Sequence, residues 1–193
     1  MTLHVVRHGR TEANAGGLLL GRADPRLDDE GRRQAERIAA ALPRDALVVS
    51  SPLRRAVETA DAISAEVRID DRLIELDYGT YDLMPVADVP AEVWREWRTD
   101  PDFRPPGGES HTELAARVFS ALDDLALLAV DHEVVVVSHV SPIKAALAWT
   151  LDVGIDVSWR CFVAQASITR VGVTVAGGDV RLSLRSFNET HHL

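Results

Sequence analysis

Short apolar runs alternate along the chain with stretches whose apolar residues recur at helical spacing. The runs at 3–6, 46–49 and 133–137 are candidate buried strands, and the last is almost entirely valine. Residues 28–42 and the stretch that follows Ser110 place apolar side chains three and four positions apart, as on one face of a helix. The alternation predicts a three-layer α/β sandwich, in which helices cover both faces of a mainly parallel central sheet.

Turn and capping residues mark the ends of these elements. Gly177-Gly178-Asp179 separates two candidate strands, 162–176 and 180–187, and predicts a hairpin that adds an antiparallel edge to the sheet. Ser110 with Glu113 forms a capping-box pattern at a helix start. Ser51-Pro52 and Ser141-Pro142 predict two further helix starts, with serine as the N-cap before proline.

The domain organisation predicted from length is simple. A chain of 193 residues fits one domain spanning 1–193, and neither an internal repeat nor a low-complexity linker divides it. Residues 77–108 are the irregular part, rich in proline and aromatic residues. We expect this segment to form a small helix and a lid over one end of the sheet, with Trp94, Trp97 and Phe103 as its own apolar core.

Composition restricts the classes of partner. The formal net charge of −9 argues against nucleic acid and anionic membranes. No run of 18 apolar residues occurs, and the first residues lack the pattern of a signal peptide. Cys161 is the single cysteine, which excludes an internal disulfide and a cysteine-based zinc site. These observations predict a cytoplasmic protein that binds a small molecule, and they leave a homodimer open.

Basic and imidazole side chains follow three of the candidate strands. Arg7-His8-Gly9 follows the first, Ser51 to Arg55 follows the second, and Ser138-His139-Val140 follows the third. Ligands of parallel sheets bind beyond the carboxyl ends of the strands, where helix N-termini also present unpaired N–H groups. The sequence therefore predicts one pocket for an anion with tetrahedral oxygens.

The ordered motifs resemble the histidine phosphatase superfamily, in its phosphoglycerate-mutase-like branch. The similarity covers nearly the whole chain, whereas a lone RHG motif would be weak. Its parts are Arg7-His8-Gly9 with Thr11 and Asn14, the stretch 21–35, the stretch 51–59 with the pattern S-x-L-x-R-A-x-x-T, Leu73-Ile74-Glu75, the stretch 107–110, and the stretch 137–139. This resemblance implies a phosphoglycerate-mutase-like fold and makes Arg55, not Arg54, the phosphate arginine.

The chemistry follows from the residue types. A neutral imidazole at His8 can attack phosphorus and hold the phosphoryl group, which divides hydrolysis into two easier steps. Arg7 and Arg55 disfavour the protonated imidazole and neutralise the phosphoryl oxygens. His139 is expected to donate to the same oxygens. Glu75 is the candidate proton donor to the leaving oxygen and then the base for water, with Asp77 and Asp82 as neighbouring alternatives.

Further contacts to the substrate or its phosphate are expected from Asn14, Gly21, Arg22 and Val140. The chain departs from the family pattern at Arg10, where many members have Glu, and at Val140, where glycine is usual. After Gly79, a tryptophan and a Glu-Gly pair common in the family are replaced by Tyr81, Asp82 and Leu83. These changes leave the identity of the substrate open more than the phosphoryl chemistry.

The function predicted is hydrolysis of a small phosphorylated metabolite, with inorganic phosphate as product and with neither cofactor nor metal. A phosphoglycerate mutase is the first alternative, but residues 83–108 lack both the Gly-Leu-Asn-Lys stretch and the Arg-Arg pair of the glycolytic enzymes. A non-catalytic protein that binds a phosphorylated ligand on the same scaffold is the second. A metal-dependent phosphatase is a third, although the sequence offers no acidic cluster for it.

Overall fold

The sheet of the protein contains six strands. In the computed structural model, which describes residues 1–193, they are β1 (Thr2–Arg7), β2 (Leu47–Ser50), β3 (Val67–Ile69), β4 (Val134–Ser138), β5 (Ile168–Ala176) and β6 (Asp179–Glu189). The spatial order is β3-β2-β4-β1-β5-β6. The first four strands in this order pair in parallel, and β5 and β6 add the antiparallel edge. The predicted mainly parallel sheet is therefore confirmed.

Six α-helices accompany the sheet: α1 (Glu12–Ala15), α2 (Asp29–Ala40), α3 (Arg54–Ile63), α4 (Ala91–Thr99), α5 (His111–Leu128) and α6 (Val140–Leu151). Helices α2 and α3 pack together on one face of the sheet, and α5 and α6 pack together on the other. None of these helices combines the length and the apolar character needed to cross a bilayer.

Strand β4 shows why a run of valines suits the middle of this sandwich. Val134 and Val136 belong to the core cluster that includes residues of α5 and α6. Val135 and Val137 point to the opposite face and belong to the cluster with residues of α2 and α3. Because successive side chains of a strand alternate between faces, a strand covered on both sides must be apolar at every position.

Some element boundaries differ from the prediction. The strand expected at 162–176 begins only at Ile168, after Ala166, whose φ of 57° lies in the left-handed region. The three-residue strand β3 was missed because it is short and mostly exposed. The hairpin at Gly177-Gly178 is confirmed, and both glycines have positive φ, 65° and 91°.

Two of the predicted helix caps are wrong. Helix α3 begins at Arg54, with Leu53 as its N-cap, and leucine has no polar side chain to cap the helix. The Ser51 hydroxyl lies two residues before this cap and contacts His139 at 2.7 Å. Helix α6 begins at Val140, so that Ser141 is its second residue and not its cap. The capping box of Ser110 and Glu113 is present at the start of α5, as predicted.

The segment 77–108 contains two single-turn 3₁₀ helices, Gly79–Tyr81 and Val86–Asp88, and then α4. Its aromatic residues cluster around Trp97, which is 1% exposed. The Trp97 ring lies 5.3 Å from that of Trp94 and 6.0 Å from that of Phe103, measured between centroids. The segment thus has the small apolar core expected of it, and its role as a lid stays a prediction.

Candidate active site

His8 lies immediately beyond the carboxyl end of β1. Its Nδ1–H donates to the carbonyl of Gly9 at 2.7 Å, because a carbonyl oxygen can only accept. This bond leaves Nε2 as the unprotonated, basic nitrogen of the imidazole. The chain turns away at Gly9, where a side chain would collide with the backbone of Gly31. A glycine is therefore required for the close packing that fixes His8.

Arg55 is fully buried beside His8. Its Nε–H lies 3.2 Å from His8 Nε2 and 3.2 Å from His139 Nδ1, so one donor sits between the two imidazoles. The other guanidinium nitrogens donate to the carbonyls of Gly21 and Ala23, both at 2.7 Å. The guanidinium is therefore held in one orientation by four acceptors.

His139 lies at the end of β4, and the parallel register of β1 and β4 brings it beside His8. The two ring centroids are 5.0 Å apart. His139 Nε2 is 2.7 Å from the hydroxyl of Ser51, and the side chain is completely buried. Because Nδ1 accepts from Arg55, the proton of the neutral imidazole lies on Nε2, which donates to the Ser51 hydroxyl.

The electrostatics keep both imidazoles neutral. Burial lowers the pKa of His8 well below its ordinary value, and the charges of Arg55 and Arg7 lower it further. The pKa of His139 is also lowered well below its ordinary value, first by burial and then by Arg55. His8 therefore has an unprotonated nitrogen at neutral pH, which nucleophilic attack requires.

Arg7 is the second cation at this edge. Its Nη1–H donates to the carbonyl of Val163 at 2.7 Å, and its buried Nε has no hydrogen-bond partner in the protein. Burial lowers the pKa of Arg7 to about 10, so the guanidinium remains charged at neutral pH. The unpartnered N–H is a donor available to an anionic oxygen.

Glu75 is 3% exposed and lines the same cavity as His8. Its Oε1 accepts from the backbone N–H of Leu76 at 2.7 Å and from that of Ser141, in the first turn of α6, at 3.2 Å. Burial raises the pKa of this carboxyl above its ordinary value. Arg117 donates to the backbone carbonyl of Glu75 at 3.2 Å and so fixes the segment that carries it.

The two alternative carboxylates, Asp77 and Asp82, accept hydrogen bonds from backbone N–H groups of nearby loops. Asp77 accepts from the N–H of Gly79 at 2.9 Å. Asp82 accepts from the N–H groups of Gly21 and Ala23, both at 2.7 Å. Neither lines the cavity that contains His8. The geometry therefore favours Glu75 among the three as the group that exchanges a proton with a ligand.

A cavity of about 390 Å³ opens at this edge of the sheet. Of the predicted site residues, it is lined by Arg7, His8, Asn14, Glu75 and Val140. Arg55 and His139 lie behind His8, which they contact directly. The predicted phosphate site is thus brought together from three strand ends.

The remaining predicted residues are placed as follows. The amide oxygen of Asn14 accepts from the N–H of Thr11 at 3.1 Å, which leaves its NH₂ group for the cavity. Gly21 and Arg22 differ from expectation, because neither lines the cavity. The Gly21 carbonyl holds Arg55, and Arg22 pairs with Glu109 at 3.3 Å. Gly21 therefore helps to orient the Arg55 guanidinium, and its contact with a ligand stays a prediction.

Sequence reasoning missed two groups at the site. Ser51 was predicted only as a helix cap, although its hydroxyl contacts His139. Lys144, the only lysine of the chain, lines the cavity and was not singled out as a ligand contact. The position of Lys144 four residues after Val140, about one helical turn further along the same face, was the available signal. No group of three or more His, Cys, Asp or Glu side chains is arranged to hold a metal ion.

Comparisons with known proteins identify the family of the chain. A family model described as the histidine phosphatase superfamily (branch 1) matches residues 3–185. A bifunctional protein of Mycobacterium tuberculosis is 36% identical over 99% of this chain; the chain spans 54% of that relative, about half its length. Phosphoserine phosphatase 1 of Hydrogenobacter thermophilus is 36% identical, over 86% of this chain and 83% of that protein.

The fold has close counterparts among solved structures. A mycobacterial glucosyl-3-phosphoglycerate phosphatase in complex with VO3 has a TM-score of 0.87 and 30% sequence identity. The match covers 98% of this chain and 99% of that one. Because the family model matches residues 3–185, nearly the whole chain, this chain belongs to the histidine phosphatase superfamily.

Proposed function

We propose that the protein hydrolyses small phosphomonoesters through a phosphohistidine formed on His8. The observation that carries this proposal is the hydrogen bond from His8 Nδ1 to the Gly9 carbonyl, which leaves Nε2 as an unprotonated nucleophile. Two arginines stand beside that imidazole, and both contribute to its lowered pKa. An imidazole so placed is suited to accept a phosphoryl group and unsuited to hold a proton.

In the first step, His8 Nε2 attacks phosphorus and the bond to the ester oxygen breaks. Arg55 Nε–H, which donates to Nε2 in this structure, shifts to a phosphoryl oxygen and frees the lone pair. Arg7 offers its unpartnered Nε–H to another oxygen. Once Arg55 Nε–H has moved away from His139 Nδ1, that nitrogen can carry the proton while Nε2 accepts from Ser51, and His139 then donates to the transferring group as well.

Glu75 handles the proton in both steps. Its raised pKa favours the protonated form that donates to the departing alkoxide. The resulting carboxylate then removes a proton from water, which attacks the phosphohistidine and releases inorganic phosphate. Each cycle returns His8 to its neutral form and Glu75 to its protonated form, and the proposed steps use neither a metal nor a cofactor.

Phosphoryl transfer to a second substrate, as in a mutase, uses the same first step. A mutase must exclude water and hold an acceptor with a second anionic group. A screen of phosphorylated metabolites, with phosphoglycerate mutase activity measured alongside, separates the two functions. Release of inorganic phosphate supports the proposal, whereas isomerisation without release contradicts it, and failure of every ester favours a non-catalytic binding protein.

Glu75→Gln is expected to slow phosphorylation of His8 by an alkyl phosphate by about 10²-fold or more. Glutamine keeps the shape of the side chain but cannot deliver a proton. Phosphorylation by p-nitrophenyl phosphate should fall far less, because nitrophenolate leaves without protonation. Single-turnover formation of the phosphoprotein is the measurement, since steady-state rates mix the two steps. Equal losses with both esters would remove Glu75 from the acid role, and Asp77→Asn is the matched control.

The raised pKa of Glu75 also predicts a pH dependence. With an alkyl phosphate, the phosphorylation rate should fall as pH rises through that pKa, because the acid form is lost. The same decline should be absent from Glu75→Gln. A decline of equal size in that variant would assign the titration to another group.

Other predictions from the sequence stand beside this proposal. We infer that residues 1–193 act as one domain, that 77–108 closes over the substrate, and that the protein works in the cytoplasm. Assembly as a homodimer stays an open alternative. The predicted partners are a small phosphorylated substrate and inorganic phosphate, and neither nucleic acid nor a membrane is among them.

A further inference from the structure

The active-site cavity is larger than a phosphoryl group requires. Its reacting end is formed by Arg7, His8 and Glu75, which is where the proposed chemistry takes place. A volume of about 390 Å³ lies within the range of pockets that enclose whole organic ligands. The rest of the cavity must therefore receive the leaving group of the ester, and its walls determine which leaving groups fit.

Those walls are mostly apolar and include three indole rings, those of Trp94, Trp97 and Trp159. Trp94 and Trp159 are half-buried and meet edge to face, with centroids 6.3 Å apart. Trp97 is almost completely buried, and the other apolar lining residues are Leu18, Leu19, Leu20, Tyr78, Val86, Val140 and Phe162. Phe162 is 74% exposed. A ligand with a flat apolar part would remove this surface from water, which is favourable in proportion to the area covered.

One cation lies on this side of the cavity. The ammonium of Lys144 is 5.8 Å from the centre of the Trp159 ring and has no carboxylate partner there. Next to that ring lies the buried imidazole of His111, whose Nδ1 has no hydrogen-bond partner. Burial, with the charge of Lys144, lowers the pKa of His111 to about 4, so the imidazole is neutral at neutral pH. Arg98 also lies 5.6 Å from the centre of the Trp159 ring, but it does not line the cavity, so Lys144 is the positive charge offered to the leaving group.

We propose that the substrate is a phosphomonoester whose leaving group carries both an aromatic ring, which packs on Trp94 and Trp159, and a carboxylate, which pairs with Lys144. This inference rests on the proposed function, whose active site supplies the phosphoryl end. A small leaving group without a ring would leave the apolar wall uncovered. A leaving group without an anionic oxygen would leave the ammonium unpaired in a partly dry cavity.

The experiment uses four phosphate esters of secondary alcohols: isopropyl phosphate, phenylisopropyl phosphate, phospholactate and phosphophenyllactate. They form a cycle in which the phenyl ring and the carboxylate are present or absent independently. The ring ratio is kcat/KM for an ester with the phenyl ring divided by kcat/KM for the matching ester without it. The carboxylate ratio compares esters with and without the carboxylate in the same way. We expect a ring ratio of about 10 or more from the area buried. The carboxylate ratio should also reach about 10 from a hydrogen bond to a charged group.

Three variants assign these ratios to residues. Trp159→Leu should reduce the ring ratio severalfold, and Phe162→Ala should reduce it as well. Because Phe162 is exposed, its replacement tests the wall without disturbing the core. Lys144→Met should bring the carboxylate ratio close to one. Trp149→Leu is the matched control, since this half-buried indole bonds Asp123 outside the cavity and should leave both ratios unchanged.

The outcomes separate the substrate class from the function. If both ratios were near one in the unaltered protein, the proposed substrate class would be overturned. Hydrolysis of isopropyl phosphate and p-nitrophenyl phosphate in the same experiment would still support the proposed function. A loss in Lys144→Met that is equal for all four esters would assign Lys144 to the phosphoryl group and contradict the inference. Failure to hydrolyse any ester, p-nitrophenyl phosphate included, would overturn both.

Discussion

Replacing His8 with alanine is expected to reduce phosphate release by at least about 10³-fold, since the covalent route is lost with its nucleophile. The loss should appear in kcat for every phosphomonoester, including p-nitrophenyl phosphate, whose leaving group needs no acid. The fold should persist, because the strand pairing of β1 ends at Arg7, before this residue. Steady-state phosphate release, measured together with the thermal unfolding temperature, checks both statements.

His132→Ala is the matched control for that experiment. His132 is an exposed histidine that follows α5 and lies outside the cavity, so its loss should leave turnover unchanged. If His8→Ala retained near-normal turnover while it remained folded, water would have to attack the ester directly. The proposed two-step route would then be wrong.

Arg55→Ala is expected to cost on the order of 3 kcal/mol or more of transition-state stabilisation, about 10²-fold in kcat/KM. The reason is the position of the guanidinium, which contacts both His8 and His139. Arg54→Ala should cost far less. The Arg54 side chain is 60% exposed and lies near Asp24 instead of the imidazoles. The measurement is kcat/KM of both variants with the same ester.

Arg55 also donates to the Gly21 and Ala23 carbonyls. Its removal can therefore disorder the loop that contains them as well as weaken transition-state stabilisation. Arg55→Lys separates these effects, because lysine keeps the charge but not the planar fork. We expect Arg55→Lys to recover part of the lost activity. A larger loss in Arg54→Ala than in Arg55→Ala would show that the motif was aligned one residue out.

The fold and the reactive residues could be predicted because their signals are local or ordered along the chain. The all-valine run of β4 indicated a strand covered on both faces, and the structure places it between two core clusters. The order of Arg7-His8-Gly9, Arg55 and His139 at three strand ends was enough to expect one site. The parallel register of β1 and β4 explains why that expectation succeeded.

The differences from the sequence-based predictions arose where a hydrogen bond to a residue distant in sequence replaces the contact that the local sequence favours. Ser51 before proline has the local pattern of a helix cap, but its hydroxyl bonds His139, which is 88 positions away. Gly21 was expected at the phosphate, yet its N–H donates to Asp82 and its carbonyl accepts from Arg55. Such long-range hydrogen bonds have no signature in the sequence around either partner.

The side of the cavity that faces the leaving group could not be predicted for a related reason. Its walls come from the loop at 18–20, from α4 and from the turn at Ile155–Arg160. These segments meet only after the sheet has formed. Trp94 was correctly expected to belong to the aromatic cluster of 77–108, but its second contact with Trp159 was not.

The most direct test of the account is to trap the phosphorylated enzyme. The purified protein is mixed briefly with a labelled phosphomonoester, quenched, and divided between acid and base before the label is mapped by mass spectrometry. The account predicts one phosphoryl group per chain, stable in base and labile in acid, on a peptide that contains His8 and absent from His8→Ala. Turnover without any phosphoprotein, or a label that maps to another residue and persists in His8→Ala, would contradict it.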